Sequence, residues 1–151
     1  MNIGSPLELD LVDTSGTAVH LQDYRGRSNV FVYFMRATTC AQCNAAVRAL
    51  ARQRDDLRSR DVEVLIAVPT DTATAAAWQA KHAVPFPVVT GRTGTAHEDA
   101  GLVRKVFGAI QQSGGILIDR SGIVRYAHVS TNPGASYKPA DLDAAILDLI
   151  D

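Results

Sequence analysis

The chain has 151 residues, with 15 basic and 16 acidic side chains and a formal net charge of -1. That length suits one domain able to bury a core without disulfide staples or structural metal. A near-neutral chain with no apolar run approaching the roughly 20 residues that span a bilayer excludes an electrostatic nucleic-acid binder and a helical membrane protein.

Met1 to Pro6 has neither a basic segment nor an apolar one of secretory type, which sets a cytoplasmic location as the expectation. Twelve of the 15 basic residues are Arg and Ala is abundant, a bias common in bacterial genomes of high GC content. Leu7 to Val12 alternates apolar with polar, the pattern of a half-buried strand. Asp13-Thr14-Ser15-Gly16 is a turn by composition, and Val19 to Leu21 makes a short return strand. After the loop Tyr24 to Asn29, Val30 to Met35 is apolar throughout, as in a central strand buried on both faces.

Ala41 to Ser59 carries apolar residues at Ala46, Val47, Leu50, Ala51 and Leu57, near a 3.6 period, with Arg48, Arg52, Arg54 and Arg58 on the polar side. Val62 to Val68 is a second buried strand. Asp71 can cap a helix from about Thr72 to His82, and Pro87 to Thr90 is a short strand. Gly91 to Gly108 is irregular or weakly helical. Gly115 to Ile118 and Val124 to Val129 flank Asp119-Arg120-Ser121-Gly122 as a hairpin. Pro139 to Ile150 is a closing amphipathic helix. No repeat or linker interrupts this order, so one domain over 1–151 is expected. Its fold class is α/β with a thioredoxin-like plan: a central mixed sheet flanked by helices, here on both faces, with an N-terminal hairpin extension.

Cys40-Ala41-Gln42-Cys43 holds the chain's only two cysteines. A strand that delivers a Cys-x-x-Cys to a helix N-terminus in an intracellular-type protein points to thiol-disulfide chemistry. The attacking species is the thiolate, and a helix N-terminus lowers a thiol pKa. Cys40 falls at the N-cap and Cys43 in the first turn, close enough for a small disulfide to open and close. One sulfur would attack the substrate and the other would resolve the product, leaving a disulfide for a separate reductant. A structural zinc would need four ligands, and His20, His82, His97 and His128 are scattered; each reads as a surface or partly buried residue. No metal or cofactor is therefore expected.

The segment from Phe34 to Leu50 resembles the active-site segment of peroxiredoxin-like proteins, the alkyl hydroperoxide reductase and thiol-specific antioxidant superfamily. It keeps Phe34, Arg36, both cysteines, Asn44, Arg48 and Leu50 of an F-x-R-x-x-x-C-x-x-C-N-x-x-L-R-x-L pattern. Gly4 to Leu9 with Leu21 to Gly26 is similar to that family's opening segment, and Ile116 to Arg125 to its late hairpin. The resemblance implies reduction of hydroperoxides, with thioredoxin or a small thiol as reductant and either a monomer or a homodimer as the assembly.

The chain departs from the usual P-x-x-x-T-x-x-C pattern. Aligned on Cys43, Arg36 replaces the Pro and Cys40 the Thr, and the family's late Arg falls near Ser113. The thioredoxin analogy makes Cys40 the nucleophile and Cys43 its resolver; the peroxiredoxin alignment reverses them. Helix geometry favours Cys40 as the more exposed thiol. Arg36 can supply a cation to a thiolate or an oxyanion, and Thr38 and Thr39 can offer hydroxyls to the sulfur or simply shape the turn. Asn44 reads as a plain surface residue or as one that hydrogen-bonds within the first helical turn, and Trp78 as core packing. Beside the peroxidase reading stand a reductase of protein or small-molecule disulfides and a non-enzymatic redox-sensing module.

Overall fold

The computed structural model describes residues 2–105 and 107–150. In chain order the elements are β1 (Leu11–Asp13), β2 (Ala18–Val19), a 3-10 turn (Leu21–Tyr24), β3 (Asn29–Phe34), α1 (Ala41–Arg52), α2 (Arg54–Ser59), β4 (Val62–Ala67) and α3 (Thr72–Lys81). There follow β5 (Val88–Gly91), α4 (Ala96–Asp99), β6 (Arg104–Lys105), β7 (Ile110–Gln111), β8 (Ser113–Ile118), β9 (Val124–Ser130), a second 3-10 turn (Pro133–Ala135) and α5 (Pro139–Ile150).

Seven strands form one mixed sheet in the order β2-β1-β5-β4-β3-β8-β9. β4 runs parallel to both β3 and β5, while β8 and β9 continue the sheet antiparallel beyond β3. The N-terminal hairpin extends the other side through antiparallel pairing of β1 with β5. β6 and β7 form a separate hairpin.

The apolar run of β3 is buried at every position, and its period-two alternation sorts it between two layers. Phe31, Tyr33 and Met35 enter one core with Val47 and Leu50 of α1, Trp78 of α3, and Leu142 and Ile146 of α5. Val30, Val32 and Phe34 enter the other with Leu7, Leu9, Leu21, Ala96 and Leu102. The longer helices thus share one face instead of dividing between two. The cause is topological: β3-α1-β4 and β4-α3-β5 step in the same direction across the sheet, and right-handed crossovers then place both helices on one side. The N-terminal segment, the first 3-10 turn and α4 cover the opposite side.

The helical pattern read as continuous from Ala41 to Ser59 breaks at Gln53, whose φ of -96° and ψ of 3° end α1. Asp55 and Asp56 then occupy the first turn of α2, where carboxylates face the positive helix end. Asp71 caps α3 by accepting the Thr74 N–H at 2.7 Å. Leu7 to Asp10 lies outside any strand; β1 starts at Leu11, and Pro6 forms an isolated bridge with Ile123.

Candidate active site

β3 ends at Phe34, and Met35 to Thr39 carries the chain into α1. Cys40 is the N-cap, with extended backbone angles (φ -72°, ψ 116°). Its carbonyl accepts the Asn44 N–H at 3.0 Å, and its sulfur accepts the Cys43 N–H at 3.3 Å. A sulfur therefore occupies the place where a Ser or Asp oxygen usually satisfies the first free N–H groups of a helix. The positive end of α1 faces it.

Both cysteines are free thiols. Cys40 is 3% exposed and Cys43 0%. Burial pushes the Cys43 thiol up to about 11, and its hydrogen bond to Cys40 acts in the same direction. One donor acts against this: the Arg36 backbone N–H, 3.4 Å from the Cys43 sulfur. The pair is therefore asymmetric. Cys40 receives a helix-end N–H, while Cys43 is held as the neutral thiol in the core.

Asn44 braces the turn. Its Nδ2 donates to the carbonyls of Thr38 at 2.9 Å and Cys40 at 2.8 Å, and its Oδ1 accepts the Trp78 indole N–H at 2.8 Å. The residue read as a surface Asn is thus half-buried and ties the cysteine turn to α3, and Trp78 adds a polar tie to its packing role. Behind the pair, Ser136 donates to the Pro133 carbonyl at 2.7 Å, so the Tyr33 hydroxyl donates to Ser136 in their 2.6 Å contact. The second 3-10 turn also packs against α1.

The other sequence candidates are placed as follows. Arg36 is half-buried and meets Cys43 through its backbone N–H; among the described residues its side chain forms no hydrogen bond or ion pair. Thr38 contributes its carbonyl, held by Asn44, and Thr39 is exposed. Ser113 is buried beside Gly114, which pairs with Phe34 at the end of β3. Among the described residues no group of three or more His, Cys, Asp or Glu is arranged to hold a metal. His97, read as a surface or partly buried residue, is fully buried. Tyr33 and Ser136 are neighbours of the site that the sequence reading passed over. A phenol inside an otherwise apolar strand was the one available signal, because a buried hydroxyl needs a partner.

A family model described as the AhpC/TSA family matches residues 4–127. Peroxiredoxin Q of Suaeda salsa is 24% identical over 123 residues, which cover 82% of this chain and 57% of that protein. Alkyl hydroperoxide reductase E of Mycobacterium tuberculosis is 24% identical over 141 residues, covering 89% of this chain and 88% of the relative. The chain thus spans little more than half the length of the plant relative. The crystal structure of peroxidoxin BcpB from Mycobacterium tuberculosis superposes with a TM-score of 0.79 at 17% identity, covering 99% of this chain and 97% of that one. That likeness establishes the thioredoxin-like peroxiredoxin fold, and the family match over most of the chain decides the rest: the protein belongs to the AhpC/TSA family.

Proposed function

We propose that the chain is a cytoplasmic thiol peroxidase, one redoxin domain that reduces small hydroperoxides through Cys40 and Cys43. The observation that carries the proposal is the asymmetry of the pair: Cys40 accepts a helix N-terminal N–H while Cys43 lies buried with its thiol pushed up to about 11. Cys40 is then the nucleophile. Its thiolate attacks the peroxide O–O bond and becomes a sulfenic acid, and the departing alkoxide takes a proton to leave as an alcohol, or as water from hydrogen peroxide. Cys43 gives up its proton and attacks the sulfenic sulfur as the thiolate; the displaced hydroxide takes up a proton and leaves as water, and the Cys40–Cys43 disulfide forms. Two electrons from a dithiol of thioredoxin type or from small thiols restore the pair. Only 3% of Cys40 is exposed, which favours a small hydroperoxide over a protein disulfide as the oxidant. Arg36 and Thr39 belong to the turn that precedes Cys40, and in this reading Arg36 is the cation available to a peroxide oxygen. Arg-rich composition and the mycobacterial relative support a bacterial source, and a homodimer is compatible with this reading.

One observation favours disulfide reduction instead. The position of the family's Thr is held by Cys40 and that of its late Arg falls near Ser113, so the usual donors to a bound peroxide are replaced. Rapid mixing of the reduced protein with hydrogen peroxide, followed by loss of free thiols, separates the two. The expected second-order rate is at least about a hundredfold above free cysteine, as positioned hydrogen-bond donors supply. A rate near that of free cysteine, with rapid reduction of a small disulfide, would replace the peroxidase reading. Cys40→Ser and Cys43→Ser are each expected to abolish turnover.

A further inference from the structure

His97 lies on α4, on the sheet face opposite α1, yet it reaches the cysteine pair through a single peptide group. Its Nε2 is 2.6 Å from the Met35 carbonyl oxygen. A carbonyl only accepts, so Nε2 carries the hydrogen and Nδ1 is the bare nitrogen. The Met35 carbonyl and the Arg36 N–H belong to the same planar unit, and that N–H donates to the Cys43 sulfur at 3.4 Å. Imidazole, peptide and sulfur therefore form one chain of donors and acceptors. Hydrogen bonds in such a chain polarise one another.

The surroundings hold the imidazole in this role. The edge of the ring meets Phe34, with centroids 5.3 Å apart. The His97 carbonyl accepts the Leu102 N–H at 2.8 Å, and Gln111 donates to the Leu102 carbonyl at 3.3 Å. Nδ1 is buried with no partner among the described residues. A neutral imidazole used only for packing would gain nothing from a buried unpaired nitrogen. Its burial is compensated at Nε2, by the short bond to the peptide beside the site. Burial holds His97 neutral, at about 4, with Arg104 the charged group acting in the same direction. The donor thus stays in one tautomer across the working pH range.

We infer that His97 is a positioning residue for Cys43: it fixes and polarises the Met35–Arg36 peptide so that the Arg36 N–H stabilises the Cys43 thiolate at the moment it attacks Cys40. The inference rests on the dithiol reading of the pair, but its test reads a property of one thiol and no turnover. In Cys40→Ser protein with 13C-labelled cysteine, the Cys43 Cβ resonance reports the thiolate fraction directly against pH. The groups facing that sulfur, Tyr33, residue 40 and the Arg36 N–H, are common to all samples. Adding His97→Phe is expected to lower the thiolate fraction at pH 9.5 by about threefold or more. Adding His97→Gln, whose Nε2 can still donate to the Met35 carbonyl, is expected to restore most of it. An unchanged fraction in a folded His97→Phe protein overturns the inference, as does equal loss in the Gln variant. Should the Phe variant not fold, the unsubstituted protein decides: long-range proton–nitrogen spectra must show the Nε2–H tautomer, and an Nδ1–H tautomer overturns the assignment. A protein that passes these tests and ignores peroxide would refute the peroxidase reading alone.

Discussion

Cys43 couples its ionisation to the stability of the reduced fold. Its thiol is held at about 11 against an ordinary value of 9.0, so the folded chain keeps a proton that the unfolded chain releases. Below pH 9 this contribution is present in full. Between about pH 9 and 11 the unfolded state binds fewer protons, and stability falls as pH rises. The loss should reach about 2 kcal/mol. Urea unfolding of the reduced protein against Cys43→Ala across this range checks it: the native chain should show the steeper decline, and equal slopes would refute it. The two cysteines were legible in the sequence because their spacing and place before a helix have few other uses. Their inequality was not legible, since it depends on the burial of Cys43 and on the N–H that Cys40 accepts, both of which require the turn to be folded.

At the scale of elements, the turn between β3 and α1 is held less by its own backbone than by Asn44. That side chain serves two carbonyls and one indole N–H. Asn44→Ala leaves Trp78 Nε1 without its partner in a half-buried place and frees the Thr38 carbonyl. A cost of about 2–3 kcal/mol is expected, with a shift of the fluorescence of the single tryptophan and a slower reaction of Cys40 with peroxide. Unchanged stability and emission would show that the brace carries nothing. The buried strands β3 and β4 and the final helix were readable from their apolar patterns and from Pro139, where α5 begins, whereas the two-residue strands β6 and β7 are too short to show a period. The break at Gln53 escaped because Leu57 continues the apolar spacing across it. The paired Asp55 and Asp56 were the local sign of a new helix start. α4 has only four residues, too few for a 3.6 period to register, so His97 looked like one of four scattered histidines.

For the whole molecule, the period-two pattern of β3 settles both cores, and the direction of strand order settles which helices share a side. The first was legible, because Val30 to Met35 is long and uniformly apolar. The second required knowing that β5 lies beyond β4 and away from β3, which no local pattern encodes. The same layering limits what oxidation can do to global stability. A disulfide from Cys40 to Cys43 closes a loop of about four residues and removes little unfolded-state entropy, about 2 kcal/mol. Scanning calorimetry should therefore find the melting temperatures of dithiol and disulfide within about 8 °C of each other. A larger gap would mean that oxidation rearranges the core.

The sulfur of Cys40 is also the cap of α1, and this makes the helix end a readout of electron count. In the dithiol it accepts the Cys43 N–H; bonding it to the Cys43 sulfur redirects it from that N–H, and a lost cap is worth about 1 kcal/mol. The first turn of α1 should then fray on oxidation and tighten on reduction. Amide hydrogen exchange at Gln42 and Cys43 is expected to run about fivefold faster in the disulfide than in the dithiol, and equal rates would refute it. A reductant could thereby distinguish a spent molecule from a charged one by the looseness of a backbone turn, before any sulfur is touched.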